Sequence, residues 1–208
     1  MVASFMIPHD EYLCADHRSN GLVSDVVSKV FYGNRITAVQ KNPSPSPTQA
    51  LFRDLVAQRY GQQLSGFAIM IDHIDEGCQL LQTILKPLRE KSLRNHIDST
   101  HQFSAGVVTP YNSSVTEWEK AFQDEGIRHV EAHTPVTMPE RDFVMVDLVR
   151  SDDSGNTGDR SLMISTLSRA NSCMIILVNT NTLRKTYTPW LARVVNHFKD
   201  KKRFIEVR

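Results

Sequence analysis

Strand-length apolar runs alternate with stretches of helical periodicity along most of this chain, and that alternation restricts its fold more than any other feature. The runs are GFAIMID (66–72), AGVVT (105–109), a weaker one at 129–132, FVMVDLV (143–149) and CMIILV (173–178). Between and after them, Leu80, Leu81, Ile84, Leu85 and Leu88, then Val115, Trp118, Ala121 and Phe122, then 162–170, then Leu191, Val194, Val195 and Phe198 recur at helical spacing. Gly126 stops the second of these helices, and Pro87 is expected to kink or shorten the first. Strands apolar along their whole length must be covered on both faces, which predicts an α/β fold: an open, doubly wound parallel sheet with helices on both sides. Ligands in such sheets sit at the carboxyl ends of the strands, so the loops after Thr109, Ala132, Val149 and Val178 are where chemistry is to be sought. Residues 204–207 read as an edge strand.

The N-terminal quarter follows a different pattern. Residues 1–20 hold no secure element, whereas Leu22, Val26, Val27, Val30 and Phe31 predict a short amphipathic helix closed by Gly33 and Asn34. KNPSPSPTQ (41–49) carries three prolines among polar residues and reads as a loop. The expected division is therefore an N-terminal segment and linker at 1–49 and a domain at 50–208. The 208 residues suffice for one domain with a real core, on a scale of roughly 100–200 residues per domain. Lys and Arg (24) balance Asp and Glu (23), so a wholly basic nucleic-acid binder is excluded, although a local basic groove is not. The three cysteines are too widely spaced for a zinc knuckle, and their odd number suits reduced thiols in an intracellular protein, cytoplasmic or nuclear. Cys78 and Cys173 are expected to be buried thiols. No apolar run approaches the roughly 18 residues that a membrane span needs.

Several chemistries lack their sequence signals. There is no GxxxxGK[ST] phosphate loop with its lysine, no apolar strand ending in a paired Asp and Glu, no GxGxxG, no HExxH and no GxSxG. The eight histidines are scattered, and no metal set is assigned.

Three segments stand out in order: GVVTPYNSSV (106–115), MPERDFVMVDLVRS (138–151) and LMISTLSRANSCMIILVN (162–179). Together they resemble motifs IV, V and VI of the second, C-terminal RecA-like domain of superfamily 1 helicases, in the branch of the nonsense-mediated-decay and senataxin-like enzymes. Thr109-Pro110-Tyr111 corresponds to the first motif, Glu140 to Phe143 with Val149-Arg150 to the second, and Leu167 to Ala170 to the third. Upstream, His17-Arg18 and Phe31-Tyr32-Gly33 are similar to the family's arginine segment and its FYxG turn. The resemblance implies a RecA-like sheet of the P-loop NTPase type without the P-loop itself. It also implies half of an ATP-dependent nucleic-acid motor that is inactive alone. ATP with Mg2+ would then be held with a separate RecA-like lobe, and the partner would be single-stranded RNA or DNA.

On this resemblance Arg169 is the arginine finger that stabilises charge on the γ-phosphate, and Arg18 and Glu140 also face the nucleotide. Thr109, Pro110, Tyr111 and Thr134 belong to the strand-binding side. Plainer roles stand beside these: a surface ion pair for Arg169 or Arg18, a solvated acid for Glu140, packing for Tyr111. Arg141, Arg150, Arg160 and Arg169 with Tyr111 are the nearest candidates for a basic, aromatic track. The chain departs from the pattern where the family's Asp, Gln and Gly fall on Thr134, Thr137 and Met138. Ser114 replaces a Gln, Ile164 an Asn, and Asn171 an Arg. These losses leave two further readings, a non-catalytic nucleic-acid- or protein-binding module and an unrelated α/β enzyme; against the latter stands the lack of an assembled nucleophile, base and orienter.

Overall fold

A computed structural model describes residues 15–16, 21, 24–38, 45–63, 65–72, 77–95, 103–128, 130–150, 155–181 and 188–207. A two-residue parallel pair, β1 (Ala15–Asp16) with β2 (Thr37–Ala38), stands apart from the main sheet. The main sheet contains β3 (Ala68–Asp72), β4 (Ala105–Val108), β5 (Val130–His133), β6 (Arg141–Asp147), β7 (Ala170–Val178) and β8 (Phe204–Glu206). Its order is β5-β4-β6-β7-β3-β8, and every neighbouring pair is parallel. This is the open parallel sheet, covered by helices on both faces, that the alternating pattern predicts.

Among the described residues, the α-helical segments that cover it are α1 (Ser24–Ser28, a π-turn, running into Lys29–Phe31), α2 (Pro47–Tyr60), α3 (Gly77–Leu80 continuing to Lys86–Asn95), α4 (Asn112–Asp124), α5 (Arg160–Leu167) and α6 (Pro189–Asp200), with a 3-10 turn at Gly155–Gly158. Because successive strand residues point to opposite faces, the sheet builds two cores. Ile69, Ile71, Met145, Ile175 and Leu177 meet Phe52, Leu81, Ile84, Leu88, Trp118 and Phe122 of α2, α3 and α4. Met70, Val144, Val146, Met174 and Ile176 meet Val26, Val27, Met163, Leu167, Val194 and Phe198 of α1, α5 and α6.

The structure corrects the sequence reading at three places. Pro47, Thr48 and Gln49 are not loop but the first turn of α2. Proline at the first helical position sacrifices only an N–H that has no intrahelical partner, and Ser46 with Gln49 forms a reciprocal capping box. The expected division at 49 would fall inside this helix. The N-terminal helix α1 is also no separate unit, since Val26, Val27 and Phe31 bury their side chains in the second core, each contributing about 1.5–3 kcal/mol. Finally, Pro87 does not end α3: a π-segment at Leu81–Leu85 immediately precedes it and the helix runs on to Asn95. The wider turn absorbs the bond that proline cannot donate.

Parallel β5 and β6 flank β4, and their seven-residue link (134–140) crosses the sheet without a helix. Met138 is buried in this link, and a Cβ on Gly106 would stand 2.5 Å from the Met138 Cε and 3.2 Å from the Glu131 carbonyl. Glycine in β4 thus makes room for the loop methionine. Gly106→Val is expected to lower stability by about 2 kcal/mol, read as a lower urea midpoint.

Candidate functional site

The parallel register places His133, Thr109, Asp147, Asn179 and Asp72 along the carboxyl edge of the sheet. Asp147 ends β6 after the apolar run Phe143–Val146, and its carboxylate is held from two sides. The Trp118 indole N–H donates to Oδ2 at 2.7 Å and the Val149 N–H to Oδ1 at 3.0 Å. Burial pushes the Asp147 carboxyl above its ordinary value, and these two hydrogen bonds pull against that rise. Beside it, Thr109 is fully buried; its N–H reaches the His133 carbonyl and its hydroxyl accepts from the Tyr111 N–H. Pro110 is buried too, and the Arg150 guanidinium lies 4.7 Å over the Tyr111 ring. Asn179 Nδ2 donates to the Arg150 carbonyl at 2.8 Å, which ties the ends of β6 and β7 together. Asp72 accepts from the Thr180 N–H and hydroxyl.

A second group gathers around the crossover. Arg169, at the start of β7, donates from Nη2 to the Pro135 carbonyl (2.7 Å) and the Ser165 Oγ (2.9 Å), and its buried Nε has no partner. Its backbone carbonyl accepts from Arg141 N–H. The loop itself is closed by Thr137 and Met138 N–H groups donating to the Thr134 carbonyl, with the Thr134 and Thr137 hydroxyls 3.2 Å apart. Glu140 is half-buried at the far end of this loop. Arg141 pairs with Glu131, which also meets His133; the His133 hydrogen bond holds the Glu131 carboxyl below its ordinary value.

Residues 8–181 match the profile of a family described as an AAA domain, of the C-terminal helicase-domain type in superfamily 1. The chain belongs to this helicase-domain family. A solved structure, the C-terminal domain of a possible DNA helicase from Lactobacillus plantarum, is similar at 15% identity and a TM-score of 0.40, over 78% of this chain and 96% of that one.

Within this helicase domain the predicted residues fall into separate places. Thr109, Pro110 and Tyr111 are together on the carboxyl edge; Thr134, Glu140 and Arg169 belong to the crossover group; Arg18 lies outside the described residues. The four arginines proposed as a track are not assembled into one. Arg150 stacks on Tyr111, Arg141 pairs with Glu131, Arg169 binds Pro135 and Ser165, and Arg160 joins Tyr32 and Trp190. Among the described residues no group of His, Cys, Asp and Glu is placed to hold a metal ion, and no helix is long and apolar enough to cross a membrane. Cys173 is a buried thiol, pushed well up by burial and then by Asp142; the Cys78 side chain lies outside the described ones. The Trp118–Asp147 pair was missed by the sequence reading, and its one signal was an acid inside FVMVDLV.

Proposed function

We propose that this helicase domain works as the second RecA-like lobe of an ATP-dependent motor on single-stranded RNA or DNA, in the cytoplasm or nucleus. The observation that carries the reading, beside family membership, is the fixation of Arg169. Two acceptors from different segments, Pro135 after β5 and Ser165 in α5, orient its guanidinium, while Nε keeps an unused donor in a buried setting. A cation already oriented by the fold can stabilise developing phosphate charge without reorganising at the moment of reaction.

ATP with Mg2+ would supply the phosphoryl chemistry, gripped by the P-loop of a separate lobe, since no such loop occurs in these 208 residues. Toward it this chain offers one wall: Arg169 as the finger, with Glu140 and Arg18 near the nucleotide. Thr109, Pro110, Tyr111 and Thr134 are the strand-side counterparts by family position. Thr109 contributes there by setting the Tyr111 turn, because its own side chain is buried. One observation favours a non-catalytic binding module instead: the crossover loop has filled its glycine position with a core methionine, Met138.

The pure chain is expected to bind single-stranded RNA or DNA with an affinity that falls as salt rises, and to turn over no ATP. ATP turnover appearing when a P-loop-bearing lobe is added should drop by about a thousandfold in Arg169→Ala, the scale of a lost arginine finger. Turnover by the pure chain that vanishes in Arg169→Ala would overturn the half-motor reading. Binding of neither strand nor nucleotide analogue would favour the protein-binding module.

A further inference from the structure

We infer that single-stranded nucleic acid is gripped at a further place as well, a groove between the end of α1 and the first turns of α5 and α6, beyond the crossover loop and the Tyr111 turn. This inference rests on the motor reading above and gives it a strand contact. Phe31, Tyr32, Gly33, Arg35 and Arg160 line the groove, an open space of about 400 Å3.

Cations and rings interleave here. The Arg160 guanidinium lies 5.1 Å from the Tyr32 ring centre and 5.6 Å from that of Trp190, and the Arg193 guanidinium lies 4.8 Å over the Trp190 ring. Trp190 in turn stacks on Phe31 at 5.3 Å. Arg160 also donates from Nη2 to the Phe31 carbonyl at 2.8 Å. That bond and the stacking explain why the three helices adhere, but they use one nitrogen of a group that carries five N–H donors.

The charge balance is what points to a ligand. Among the described residues no acidic one lines the groove, and neither Arg160 nor Arg193 has a carboxylate partner there. The nearest acid in sequence, Asp159, is engaged in capping α5 through the Leu162 N–H at 2.8 Å. Arg35 and Arg193 are exposed, Tyr32 and Trp190 half-exposed. At the start of α6, the buried hydroxyl of Thr188 has no partner either. The Arg160 and Arg193 guanidinium groups, set among accessible rings, suit a phosphodiester backbone whose bases stack as they pass.

The tryptophans provide the readout. The chain has two, and Trp118 is buried in the other core, so quenching by a bound oligonucleotide reports on Trp190. Oligouridylate and oligothymidylate of about ten nucleotides would be titrated into wild type, Arg193→Gln and the Arg160→Gln/Arg193→Gln double variant at several salt concentrations. The expected result is quenching in wild type, an affinity about tenfold or more weaker in the double variant, and a log–log salt slope shallower by about 1.4 for two lost single-strand contacts. The RNA and DNA arms show which sugar is preferred. Arg193→Gln, at an exposed position, gives an intermediate loss and serves as the test if the double variant folds poorly. Strand binding that persists unchanged in both variants, or that leaves Trp190 unquenched, would overturn this groove while leaving the motor reading intact. Equal quenching by oligoglutamate would overturn it as a nucleic-acid site, and no strand binding by wild type would overturn both readings.

Discussion

Asp25→Ala is expected to destabilise the fold by about 3 kcal/mol, as a shift of the urea midpoint without loss of cooperativity. Asp25 in α1 pairs with Arg203, whose side chain is 3% exposed, and lies 3.8 Å from His197. Arg203 also stacks over Phe198 at 5.4 Å, and its Nε is already without a partner. Removing the carboxylate leaves a buried guanidinium uncompensated, which is the costly way to break such a pair. The figure sits at the low end of that range because Asp25 is itself 29% exposed.

The same cluster fixes how stability depends on pH. Burial opposes ionisation of Asp25, but Arg203, then His197 and Lys29, outweigh it and hold the carboxyl below its ordinary value. Burial holds the His197 imidazole below its ordinary value too, against the pull of Asp25 and with help from Arg203. Both groups have depressed folded values, so each contributes stability that is present above its unfolded value and lost as pH falls. The His197 contribution should fade below about 6.5 and the Asp25 contribution below about 3.8. In Asp25→Ala the lower stage should disappear and the upper one deepen, because His197 loses the one neighbour that favoured its charge. Thermal melts across pH 3 to 8 check this; an unchanged profile would show that the pair does not couple to folding.

The strands were legible because a buried parallel strand needs nothing but apolar residues, and FVMVDLV and CMIILV supply little else. Helix α2 was not, although its start signal, Ser-Pro-Thr-Gln, is a capping box. Its buried stripe includes Thr48 and Gln49, and Gln49 is acceptable there because its Nε2 donates to the Ser172 carbonyl at 3.2 Å, 123 residues away in sequence. Polar residues satisfied by distant partners erase helical periodicity, and the prolines then dominated the reading. The site was legible to a similar degree. Order and spacing sufficed to bring Thr109, Pro110 and Tyr111 to one strand end. They could not show that Arg160 turns to Tyr32 and Trp190 rather than to Arg150, since that depends on how α1 and α6 dock.

Gly77→Ala should be the most damaging single-carbon change on the carboxyl edge. An added Cβ would stand 2.5 Å from Trp118 Cη2 and 2.9 Å from Cζ2, with Leu177 Cδ1 at 3.5 Å behind. The indole cannot swing away freely, because its N–H is bound to Asp147 and its ring packs on Phe122 at 6.0 Å. Relief therefore comes from either backbone movement of α3 or rupture of the Trp118–Asp147 bond, which strands a buried carboxylate oxygen. Overpacking of this kind costs about 1–3 kcal/mol and a lost buried partner about as much, so a total near 3 kcal/mol is expected. Trp118→Phe alone loses the hydrogen bond but removes the atoms that the new methyl would strike. In that background Gly77→Ala should cost at least about 1 kcal/mol less than in wild type, a coupling well above the few tenths seen for independent sites. Because the Trp118 bond favours the ionised form of Asp147, the penalty of Trp118→Phe should also shrink in acid, where the carboxyl is protonated in either protein. Additive effects across the cycle would mean that Gly77 is required by the α3 backbone rather than by the indole.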